Sequence, residues 1–244
     1  MRVLTAVIAG LLSCAGAANA NPVQGDENPC IASAGQSLSQ RLIVCSETIA
    51  SQTTLQVHID ARMERAKLYM SIPDRRRALL DYAEVVRRSP KFAQGYAALA
   101  EARAADGNIP GAIKEYDQAL KLEPTNAAFW AGRCWMQARL GHDLSAALAD
   151  CEHGIGLDPT AHYAHGTRAF VHLLQRDYQA AVVDFDGELA LAAVADVGAQ
   201  AYALYGRGIA KLLEGRDDGR TDLAHARSMD PTIGDQFRTW GFGP

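Results

Sequence analysis

Three histidines, His162, His165 and His172, fall on one stripe of a helix, because positions i, i+3 and i+10 return near the same face. Three imidazoles so placed could bind zinc. No carboxylate or cysteine completes a ligand set on that stretch, so packing histidines and no metal are expected. Thiols are the second candidate chemistry. Cys14 lies in a leader-like segment, leaving Cys30, Cys45, Cys134 and Cys151, an even number that in an oxidising compartment points to disulfides. No Cys-x-x-Cys is present for thiol-redox work. The chain also lacks a Ser-His-Asp order, a phosphate loop and paired carboxylates in a catalytic motif, so no enzyme activity and no cofactor are expected.

The elements that must position these residues are helices. Segment 92–124, FAQGYAALAEARAADGNIPGAIKEYDQALKLEP, carries Tyr96, Leu99, Ala100 and Arg103 at i, i+3, i+4 and i+7. Gly107-Asn108 then breaks the pattern. A second helix follows with Ala112, Tyr116, Ala119 and Leu120 inward, and Pro124 closes the unit. The prolines repeat this period: Pro90 to Pro124 is 34 residues, Pro124 to Pro159 is 35, and Pro159 to Pro231 is 72, or twice 36. Five helix hairpins follow from that count. The Leu-Ala pair, Gly-Asn turn, spaced alanines and aromatic, and closing proline resemble the tetratricopeptide repeat. The marks recur as Arg65-Ala66, Arg133-Cys134, Arg168-Ala169 and Arg207-Gly208, similar to exported tetratricopeptide proteins of proteobacteria. The resemblance implies an all-α fold, a right-handed α-solenoid of antiparallel helix hairpins, acting as a protein-interaction module.

Around this core, 1–20 has the pattern of an export signal, with Arg2, an apolar run and Ala18-Asn19-Ala20 before Asn21. That places the protein in the periplasm or outside the cell. A competing pattern, Leu11-Leu12-Ser13-Cys14, is similar to a lipobox and would leave Cys14 lipid-bearing, anchoring an envelope-assembly scaffold that acts through self-association. Residues 21–39 are a loose lead-in, 40–231 the solenoid with a capping helix from Gln40, and 232–244 an aromatic tail docked on the last hairpin. Asp196 to Gln200 is an insertion between the last two hairpins. Hydrophobic content of 48% against 21% charge excludes disorder, and a net charge of −4 leaves no basic footprint for nucleic acid. Once the leader is removed, no segment is expected to insert in a membrane.

Within antiparallel hairpins, residues about fifteen to seventeen apart face each other. Arg65 and Asp81, Arg133 and Asp150, Arg168 and Asp184, and Arg207 and Asp222 are separated by 16, 17, 16 and 15, so four internal ion pairs are expected. The second hairpin has Leu99 and Glu115 in those places and none is expected there. The alternative is an arginine ladder gripping an anion. Cys134 and Cys151 face each other across the third hairpin, as a disulfide or as two small buried thiols. Cys30 and Cys45 could staple the lead-in to the capping helix.

The resemblance also implies that each hairpin's first helix lines a concave groove. The side chains projected there are Met63, Lys67, Glu101, Trp135, Arg139, Tyr163, Phe170, Leu174, Tyr202 and Tyr205, turning aromatic toward the C-terminus. Aromatics and arginine dominate binding energy at many interfaces. The alternative is that half of them are interhelix core. Ala97, Glu101, Gly132, Tyr163 and Thr167 stand where relatives that capture a C-terminal carboxylate carry a Lys and Asn clamp, so an apolar hold on a peptide or helix fits better. The identity of the partner protein and the oligomeric state are not written in the sequence.

Overall fold

The computed structural model describes residues 28–72, 74–193 and 195–243. The export and lipobox patterns, and Cys14 with them, lie outside these. The described residues form thirteen α-helices and one 3₁₀ turn, with no strand among them. The chain divides into two compact units, one ending at Pro124 and one beginning at Thr125.

The first unit opens with α1 (Pro29–Ala32) and a 3₁₀ turn (Ser33–Gly35), followed by α2 (Leu38–Ala50). The lead-in is thus more ordered than its polar composition suggests, because Cys30 is bonded to Cys45 and both are fully buried beside Ala61 and Leu68. Ser37 and Gln40 form a capping box that starts α2. Two hairpins follow, α3 (Leu55–Met70) with α4 (Arg75–Arg88), and α5 (Ala93–Ala105) with α6 (Ile109–Leu122). Ile59, Met63, Tyr82, Val85, Ala98 and Leu99 knit these helices into one apolar cluster. The small Ala98 and Ala102 let α5 lie close to its neighbours, which is why alanine rather than leucine dominates that helix.

The second unit repeats the plan with α7 (Ala127–Leu140) and α8 (Leu144–Leu157), α9 (His162–Gln175) and α10 (Tyr178–Leu191), and α11 (Val197–Leu213) and α12 (Gly219–Met229). A seven-residue α13 (Ile233–Thr239) ends it. Cys134 and Cys151 form a disulfide across α7 and α8 with Cα atoms 5.4 Å apart. Closing a loop of this length disfavours the unfolded chain by roughly 3 kcal/mol.

Four of the five hairpin turns share a local code. Asp74, Asn108, Asp143 and Asp177 each accept a hydrogen bond from the backbone N–H three residues on, at 3.3, 2.9, 2.9 and 3.2 Å, so each second helix starts at its own cap. The chain reaches the last three of these caps through a left-handed residue, Gly107, Gly141 and, with a side chain, Arg176.

One expected element differs. Of the insertion 196–200, Val197 to Gln200 form the first turn of α11, and Asp196 caps it by accepting from the Ala199 N–H at 3.0 Å. Nothing in Val-Gly-Ala-Gln breaks a helix, so the extra residues lengthen α11 to 17 residues.

Candidate partner-binding groove

The first helices of the hairpins present two sets of side chains, one polar and one aromatic. The polar set consists of fork-shaped ion pairs. Nε and Nη2 of Arg65 donate to Asp81 at 2.7 Å each, and the same two atoms of Arg133 donate to Asp150 at 2.7 Å each. Arg168 and Asp184, and Arg207 and Asp222, repeat the fork at 2.8 and 2.7 Å. The hydrogen bond to Asp81 raises the Arg65 pKa, and that to Asp184 does the same for Arg168. A guanidinium engaged on both prongs by its own hairpin has little left for a free anion, so these arginines set helix register.

The third guanidinium nitrogen serves a purpose that spacing did not reveal. Arg65 Nη1 donates to Ser46 Oγ on α2 at 3.0 Å, and Arg207 Nη1 donates to Asp186 on α10 at 2.6 Å. Each of these arginines therefore ties its hairpin to the preceding element. The second hairpin also has an ion pair, contrary to the expectation, between Arg103 and Glu115 at 3.0 Å. Arg103 stands one helical turn beyond Leu99 on the same face, and the longer glutamate spans the difference.

The histidines have separate neighbours. His165 Nε2 lies 3.1 Å from the Pro159 carbonyl, His172 Nε2 lies 3.6 Å from Asp184, and His162 packs edge-on against Tyr163. Among the described residues no group of three His, Cys, Asp or Glu could hold a metal ion.

Of the residues projected onto the groove, Lys67 is exposed, and Arg139, Tyr163 and Leu174 are partly exposed. Met63, Glu101, Trp135, Phe170, Tyr202 and Tyr205 are buried, so the expectation of an open strip is corrected for these six. Met63 belongs to the first unit's apolar cluster, and Glu101 accepts a hydrogen bond from the Tyr116 hydroxyl. In the second unit Trp135 of α7, Phe170 of α9 and Tyr202 of α11 form a continuous aromatic floor, with ring centroids 5.1 Å apart for Trp135 and Phe170 and 6.4 Å for Trp135 and Tyr202. The tail closes over it: Trp240 stands 5.3 Å from both Trp135 and Phe170, and Phe242 stands 5.9 Å from Phe170. It therefore reaches two hairpins beyond the one on which it was expected to dock.

Beneath this floor, Glu188 of α10 is buried against Gly166 of α9. A Cβ at Gly166 would overlap the Glu188 carboxyl group, so the glycine makes room for the acid. Burial first, and the charge of Asp196 second, push the Glu188 carboxyl well above the ordinary carboxylate range, and Oε2 has no hydrogen-bond partner among the described residues. The folded state thus holds a proton that the unfolded chain releases above about pH 4.5. Stability consequently falls as pH rises from there toward the folded-state pKa. Glu188→Gln keeps the shape without the proton cost; its gain over the wild type should be small at pH 4 and grow toward neutral pH in urea titrations.

No family model matches the chain. Over 115 residues it is 26% identical to the mitochondrial import receptor subunit TOM70 of Homo sapiens, covering 47% of this chain and 19% of that receptor. The chain thus spans about a fifth of the length of the curated relative it matches. Among solved structures, a tetratricopeptide repeat protein from Parabacteroides merdae aligns with a TM-score of 0.65 and 17% identity over 84% of this chain and 78% of that one. PilW, a type IV pilus biogenesis factor, aligns with a TM-score of 0.63 and 18% identity over 77% and 87%. YrrB, a tetratricopeptide repeat protein with an unusual peptide-binding site, aligns at 0.51 and 15% over 86% and 100%. The fold is that of tetratricopeptide proteins, an all-α solenoid of antiparallel helix hairpins.

Proposed function

We propose that this tetratricopeptide-fold protein is a non-enzymatic interaction module of the bacterial cell envelope, which holds a peptide or helical segment of a partner protein in the aromatic trough of its second unit. The observation that carries the reading is the continuous floor of Trp135, Phe170 and Tyr202, contributed by the first helices of three successive hairpins. Rigid aromatic rings of this kind, which the tail covers in this structure, give large contact area at low entropic cost to whatever occupies the trough. The peptide-binding site of YrrB supports the same use of the fold. An envelope location is favoured by the leader-like 1–20, by the two disulfides, which persist in oxidising compartments, and by the likeness to PilW. No described helix is long and apolar enough to cross a membrane.

The test places a photo-crosslinking amino acid at Leu174, on the partly exposed rim, in the full chain expressed with its leader. One crosslinked envelope protein is expected, and Arg139→Glu together with Tyr163→Ala should reduce its yield at least about tenfold, the effect of losing about 1.4 kcal/mol of binding. Undiminished yield from a folded variant would count against the trough. Cys14 carries a second reading, a lipid-anchored scaffold. Mass spectrometry separates the two, since release of a soluble chain begins it at Asn21 and anchoring leaves a diacylated Cys14.

A further inference from the structure

We infer that the C-terminal segment 233–243 is a cis occupant of the aromatic trough, and that the partner admitted there presents the same chemistry: a tryptophan with a second aromatic two residues later, as Trp240 and Phe242 stand here. This rests on the trough reading above and specifies what the trough selects.

The argument starts from how the segment is held. Trp240 sits edge-on to Trp135 and Phe170, Phe242 sits edge-on to Phe170, and Phe237 stacks at 4.8 Å on Tyr205. Every one of these contacts is ring on ring. The polar side chains of the segment are turned on the segment itself: Arg238 pairs with Asp235, Thr239 bonds to the Gln236 carbonyl, and the Phe242 N–H returns to the Phe237 carbonyl at 2.9 Å. The seat therefore engages its occupant through aromatic faces.

Phe237 and Ile233 are buried, but the segment's own backbone structure adds little to hold it. A helix of seven residues is not stable by itself, and α13 has no side-chain cap at its N-terminus. Gln236 is buried with its Nε2 amide unpartnered, so docking strands a donor that release returns to water. Gly241, at φ 87°, turns the chain after Trp240 so that both Trp240 and Phe242 reach Phe170. The floor beneath is as apolar as a core: Trp135 and Phe170 are only 7% and 1% exposed with the tail in place. Bare rings of this extent are unusual on a monomer surface. The tail thus covers the trough until an incoming aromatic pair displaces it, and any such partner must overcome the high effective concentration of a tethered competitor.

A fluorescent synthetic peptide of residues 231–244 serves as the probe. Full-length Trp240→Ala/Phe242→Ala should bind it at least about tenfold more tightly than the wild type, whose tethered tail competes at an effective concentration in the millimolar range. A peptide with both aromatics replaced by alanine should bind neither protein. Gly234→Val loosens α13 without removing its rings, because a Cβ there meets the Tyr205 hydroxyl at 3.0 Å, and should give the same gain. Equal probe affinity in wild type and both variants, with circular dichroism showing them folded, overturns the inference. So does light scattering that finds wild-type dimers with exchanged tails. Crosslinking at Leu174 separates the two failures: a partner captured equally with and without the tail aromatics removes the cis occupant and leaves the trough, whereas capture by neither removes both.

Discussion

Gly206→Val is expected to destabilise the second unit by about 3 kcal/mol, the upper end of what overpacking a filled core costs. Gly206 lies on α11 directly under the Phe185 ring of α10, and a Cβ there would overlap that ring. Phe185 is fully buried and packs against Tyr202 with centroids 5.9 Å apart, so it has nowhere to swing. The measurement is the urea midpoint, with an unchanged slope showing that the denatured state is the same. Gly206→Ala should fall between the two, and Phe185→Leu in the same chain should recover part of the loss, since only contacting residues couple in this way. Additive losses in the double variant would mean that the two helices do not meet as described.

The second large effect belongs to the first unit. Asp81→Ala is expected to cost about 3 kcal/mol, because it leaves guanidinium groups in a semi-buried place without their counter-charge. Asp81 is 3% exposed and accepts from both Arg65 and Arg62, the latter at 3.2 Å. Removing the acid together with both arginines, as Arg62→Met/Arg65→Met/Asp81→Leu, should cost far less than Asp81→Ala alone, since the stranded charge rather than the lost attraction dominates. The hydrogen bond from Arg65 to Ser46 makes a further check possible. Hydrogen exchange in α2 should quicken in Asp81→Ala, because the arginine that reaches α2 loses the carboxylate that aims it.

Several of these features were visible from spacing alone. The separation of each arginine from its aspartate equals the distance along an antiparallel hairpin at which two residues meet, so the pairs could be named without coordinates. The same held for Cys134 and Cys151, which share that separation. Caps such as Asn108 and Asp177 act on a backbone N–H three residues away and are likewise local, although the spacing argument did not name them. The misses have a common physical origin. Arg103 and Glu115 pair because a longer side chain shifts the meeting point by one turn, and side-chain reach is not encoded in the repeat period. The extra residues 197–200 became helix because Asp196 caps them, so a count of residues misplaced the boundary. The buried Glu188 has no spacing signature, because the vacancy it needs is Gly166 on another helix.

What the sequence by itself determined about this protein is the hairpin: its length, its turn, its caps and the ion pair that sets its register, all of which depend on residues within about twenty of one another. What only the tertiary structure decided is which of the inward-facing aromatics are surface and which are floor. That depends on Trp240 and Phe242 coming to rest on Trp135 and Phe170, residues far away in the chain. Ring-on-ring packing carries no spacing signature, because it is non-directional along the sequence and is settled by whichever apolar surfaces the folded helices leave uncovered.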